Sequence, residues 1–189
     1  LILLSFVFYL PVVLFADKVP ALGTLMMPKT LSYLLIVVFG YKYFIGEFKR
    51  SSILGMGITF MIMGIMSGAF SREFIKYYEY TDNTYLNLIH THSLALGFLA
   101  LMVLYLLVKN NDQKQIRTLE KSYHIYVTGL TISLVTMIII GIYQIVSNGQ
   151  DIVNYKTLSA MIGIGHILLT IGMVWTFAKI FSLEKVEKL

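Results

Sequence analysis

The stretch Leu88-Ile89-His90-Thr91-His92-Ser93-Leu94-Ala95-Leu96-Gly97 places two imidazoles inside a run that is otherwise suited to lipid. Histidine is polar, titrates near neutrality and binds metals, so a copy in hydrocarbon is costly unless it faces a partner or a cavity. On an α-helix, residues two apart point about 200° away from each other. His90 and His92 therefore look in opposite directions, and each needs its own partner.

The chain around this stretch has 189 residues, 57% of them hydrophobic and only 13% charged. An ordinary soluble domain carries roughly 25% charged residues, so an integral membrane protein is expected. With no Cys, disulfides, thiolate metal sites and thiol nucleophiles are excluded. The chemistry is left to His, carboxylates, hydroxyls, Met and Tyr. The net charge of +5 does not point to nucleic acid, because the basic residues fall in short loops between apolar runs, where membrane topology accounts for them.

Crossing a hydrocarbon core of roughly 30 Å takes about 20 apolar residues. Runs of about that length lie near 1–16, 25–45, 52–71, 86–108, 124–147 and 157–182. The first contains Pro11 and starts at Leu1, so it is expected to be a truncated or kinked span rather than a signal peptide. The fold class that follows is all-α: a polytopic transmembrane bundle of about six spans, one domain over 1–189, with a helix pair in 1–51 and a four-helix His-bearing core in 52–189. With the N-terminus inside, ten of the 15 Lys and Arg fall in inner loops and tail, leaving Lys18, Lys29, Arg72, Lys76 and Lys156 outside. The bias places both termini in the cytoplasm, in a bacterial inner membrane.

Small residues mark where helices or a flat ligand approach closely. Gly64 and Gly68 in the third span have small-xxx-small spacing. Gly163, His166, Thr170 and Met173 share one face of the last span, and the small residues before His166 leave room beside its ring for a planar group. Arg72 and Lys76 stand a helical spacing apart, placed to neutralise an anionic ligand edge. The Tyr-rich segment 71–85 reads as an interfacial anchor, and Asn110–Ser122 as a solvated connector. Gln144 is placed to hydrogen-bond across the bundle.

Depth separates the histidines into two groups. At 1.5 Å per residue, His90 lies about 6 Å and His92 about 9 Å below the outer end of their span, and His166 about 13 Å below the outer end of its own. His124 falls at the inner surface. A zinc site is disfavoured, since an i,i+2 pair chelates poorly and no Cys or in-span carboxylate completes the set. A haem needs only one or two axial ligands from opposite sides, which His166 and either His90 or His92 can supply. The outer-side cations Arg72, Lys76 and Lys156 are then available to the propionates. The competing readings are a cofactor-free scaffold or assembly subunit, with the histidines bonded to backbone carbonyls or to Thr91 and Ser93, and a small proton-coupled transporter. The transporter lacks a matching pair of Gly/Pro-broken half-helices.

The run His90-Thr91-His92-Ser93-Leu94-Ala95-Leu96-Gly97-Phe98 resembles the His-x-His-x-x-Ala-Leu-Gly helix of haem-copper oxidase and nitric oxide reductase catalytic subunits. In that family the two histidines face different haems, so the resemblance implies haem ligation by His90 or His92. The chain departs from it by having no His-Pro-Glu or His-His pair and far fewer spans, and a binuclear oxygen-reducing centre is not expected. Over roughly 52–182 the chain is also similar to a family of small bacterial membrane proteins of unknown function. That likeness rests on Arg72-Glu73-Phe74, Tyr80-Thr81-Asp82, His90-Thr91-His92 and the run Gly163-Ile164-Gly165-His166-Ile167-Leu168-Leu169-Thr170-Ile171-Gly172. The expectation is a membrane protein holding haem b through His92, His166 and His90, with Arg72 and Gly163 beside it. It would serve electron transfer or haem and gas sensing, with a quinone or a respiratory redox protein as partner, and homo-oligomerisation is open to it.

Overall fold

The computed structural model describes residues 47–148 and 155–187, without the side chains of Tyr155 and 184–187. The chain divides into two units at Glu47/Phe48. The spans expected at 1–16 and 25–45 lie outside the described residues. Among the described residues the structure is all-helical: α1 Arg50–Tyr77, α2 Leu86–Leu107, a short α3 Gln113–Thr118, α4 Glu120–Val146 and α5 Tyr155–Glu187. Four of these, α1, α2, α4 and α5, are long and apolar enough to cross a membrane.

The four long helices run antiparallel, each to the next, as side chains bonding across the seams record. At one end, Arg50 donates from Nη1 to the Lys109 carbonyl, Gln113 Nε2 to Phe48 O at 2.7 Å and Lys179 Nζ to Thr118 O. At the other end, Ser71 Oγ donates to Leu86 O at 3.0 Å. Here Thr84 Oγ1 also donates to Gly141 O at 3.2 Å, and Tyr85 N to Gln144 Oε1 at 3.0 Å. The expected cross-bundle bond from Gln144 thus holds the start of α2.

The order of packing is α1 on α2, α2 on α4 and α4 on α5. In its most apolar window α4 has 56% of its residues buried against 22–28% in the other three, so α4 is the central helix and the others present one side to lipid. Backbone contact between α4 and α5 is allowed by glycine. A Cβ on Gly129 would collide with Leu169 N, and one on Gly172 with Tyr126 N. Without water to drive association, such close packing is the main attraction between membrane helices.

The connector 110–122 differs from the expected solvated loop. Asp112 and Gln115 form a capping box, Asp112 N donating to Gln115 Oε1 at 2.9 Å, and this starts α3. Ile116, Leu119 and Ser122 are buried beneath it. Polar composition described its outer face only.

Candidate functional site

Helix α2 carries the His-x-His run and is not a plain α-helix. Leu86–His92 is α-helical, Ser93–Leu99 is π-helical and Ala100–Leu107 returns to α. A π-turn widens the helix and weakens its own ladder, and such segments concentrate at functional sites. Three contacts hold it. Ser93 Oγ donates to Phe60 O at 2.9 Å, Tyr126 OH donates to Leu96 O, and Phe60 lies where a Gly97 side chain would be. The π-segment begins at the residue after His92.

His92 and His166 meet across the bundle. Their ring centroids are 5.8 Å apart with planes at 87°. In each, Nδ1 bonds the carbonyl four residues back, His92 to Leu88 O at 2.9 Å and His166 to Ile162 O at 2.8 Å. A carbonyl only accepts, so Nδ1 is the donating nitrogen in both rings, and in the neutral tautomer Nε2 is the atom with the free lone pair. A second-shell acceptor on the other nitrogen is how metal-ligating imidazoles are usually oriented. Buried Ser133 of α4 places Oγ 3.5 Å from His166 Nδ1. Both rings are half-buried.

His90 turns to the opposite side, as the 200° argument requires. Its Cβ packs against Gly68 of α1 at the distance of an ordinary contact, 3.5 Å from where a glycine Cβ would stand, and its Nε2 is 3.3 Å from Thr91 Oγ1. It lines an open groove of about 540 Å³ with Gly68, Ser71, Arg72, Ile75, Lys76 and Asn87. Arg72 is thus grouped with His90 and not with the His92–His166 pair. Gly163 lies on an exposed face with open space around it, whereas Gly165 is the glycine in backbone contact, beside Ser133. His124 is far along α4, exposed, 3.9 Å from Glu120 Oε1.

Among the described residues no three His, Cys, Asp or Glu side chains converge as a metal cluster. The pair by itself offers two imidazole nitrogens from two helices. Ser133, Tyr126 and the π-segment were not singled out by the sequence. Only Gly97, a helix-disfavouring residue inside a helical run, signals the distortion.

Four membrane-length helices with an imidazole pair facing between two of them define a small polytopic membrane protein. Residues 51–183 match the family described as protein of unknown function DUF2871, and the chain belongs to that family. The matched region runs from the start of α1 almost to the end of α5, so the match covers the four long helices. No curated protein and no solved structure matches the chain.

Proposed function

We propose that the protein binds one b-type haem, which His92 of α2 and His166 of α5 would hold, and that it serves electron transfer. The observation that carries this reading is the facing pair with both Nδ1 atoms engaged and both Nε2 atoms left as donors. Leu88 and Ile162 orient the rings, and the space beside Gly163 admits bulk one turn from His166. Apolar side chains with exposed surface on both helices, Leu88, Leu99, Ile164 and Ile167 among them, supply low-dielectric walls. When bound, such a haem would supply one-electron redox chemistry.

The same reading places the bundle, six spans in all, in a bacterial inner membrane. Lys49, Arg50, Lys109, Lys114, Arg117, Lys121 and Lys179 gather at one end and Arg72, Lys76 and Lys156 at the other, which makes the first end and both termini cytoplasmic by the positive-inside bias. The His pair then lies in the outer half.

Absorption spectra of the full chain, extracted from haem-supplemented cells in oxidised and reduced states, test the proposal. A Soret band and sharp reduced α and β bands are expected, lost in His92→Ala and in His166→Ala and kept in His90→Ala and His124→Ala. A protein that folds without any Soret band, and whose stability barely responds to His92→Gln and His166→Gln, overturns the haem reading and leaves the pair as a packing contact of a membrane scaffold.

A further inference from the structure

We infer that the groove between the end of α1 and the start of α2 binds a phosphate-bearing anion, held by Arg72 and Lys76 with hydrogen bonds from Asn87 and His90. The cations are four residues apart and so share a face of α1. Asn87 and His90 are three apart and share a face of α2, and all four line one groove. Its width is fixed from below: the buried Ser71 hydroxyl shares its one proton between Ser67 O, at 2.7 Å, and Leu86 O, at 3.0 Å, linking the two helices. Gly68 keeps the floor open, since it carries no side chain over His90.

Depth argues that the anion is a lipid headgroup. Residues 51–71 of α1 carry no charge, and at 1.5 Å per residue they span about 32 Å, the thickness of a hydrocarbon core of about 30 Å. Arg72 and Lys76 follow at once, so they stand at the level of the lipid phosphates, with half-buried Ile75 and exposed Phe70 and Leu88 nearby to meet acyl chains. Glu73 opposes binding. Its Oε1 accepts from Arg72 Nε at 3.1 Å and Nη2 at 3.0 Å, so an incoming phosphate competes with it for the guanidinium.

This site is independent of the His92–His166 pair, because His90 and His92 face opposite ways. The test is native mass spectrometry of the full chain in neutral detergent, titrated with phosphatidylglycerol, phosphatidylcholine or inorganic phosphate. Phosphatidylglycerol is expected to remain bound in preference to phosphatidylcholine. Each basic residue near an anionic lipid contributes about five- to sixfold in affinity, so Arg72→Gln with Lys76→Gln should weaken retention by about thirtyfold. Glu73→Gln should strengthen it, and His92→Ala should leave it unchanged whether or not haem is bound. Competition by inorganic phosphate identifies a soluble phosphate as occupant, and its absence identifies the lipid. Equal retention by the double variant and the parent, both with the same helical circular dichroism, overturns the proposal, as does weaker retention by Glu73→Gln.

Discussion

An imidazole in a membrane helix is defined by what its Nδ1 does. His92 and His166 both give that proton to a carbonyl one turn back, a bond available to any helical His, and what distinguishes them is that they do so while facing each other. Ser133 adds a second contact to one ring only, at a long 3.5 Å. Removing a second-shell partner usually lowers metal affinity by about 10- to 100-fold. Because Ile162 O still holds His166 in Ser133→Ala, the haem proposal predicts a loss near the lower end, about tenfold, when haem is titrated into haem-free protein. The opposed directions of His90 and His92 were legible from helical geometry alone. Which of them meets His166 was not, because their sequence depths differ by about 3 Å, less than the uncertainty of a helix end. Ser133 was silent for a related reason: on a helix apolar all round, no polar stripe marks the face that touches a neighbour.

At the scale of elements, glycine position decides which helix pairs form the site. A Cβ on Gly129 would meet the α5 backbone, 2.7 Å from Gly165 O, and backbone cannot step aside as a side chain does. Overpacking of this kind costs about 1–3 kcal/mol. Gly129→Ala should therefore lower the unfolding midpoint in detergent and, by pushing α5 from α4, weaken any ligand held by His166. Gly163→Ala is the contrast, since its Cβ enters open space, and a stability change within about 0.5 kcal/mol is expected. Sequence spacing drew attention to Gly163 because it shares a face with His166. The structural load falls instead on Gly165 and Gly129, whose importance depends on which side of α5 meets α4. The π-segment was equally hidden, since Ser93–Leu99 has the composition of an ordinary apolar helix and its widened turn is fixed by Phe60 and Tyr126 from other helices.

At the scale of the molecule, the four spans expected among the described residues are there as helices of membrane length, with ends shifted by a few residues. Apolar length was enough to find them, because a bilayer demands a continuous run and a backbone that satisfies its own hydrogen bonds. The short helix α3 escaped, because its buried Ile116 and the buried Leu119 that follows it sit among charges. The proposed orientation rests on the unequal charge at the two ends, and the absence of Cys from the chain makes it directly testable. Single cysteines at Asp82, in the α1–α2 loop, and at Lys114, in α3, replace exposed residues at opposite ends of the bundle. In intact cells with the outer membrane opened, a membrane-impermeant maleimide should label Asp82→Cys at once and Lys114→Cys only after the inner membrane is permeabilised. The reverse pattern would put the His92–His166 pair in the cytoplasmic half and the Arg72–Lys76 groove at the inner leaflet. Electrons would then reach the proposed haem from the cytoplasmic side, and the groove would face the inner-leaflet phosphates.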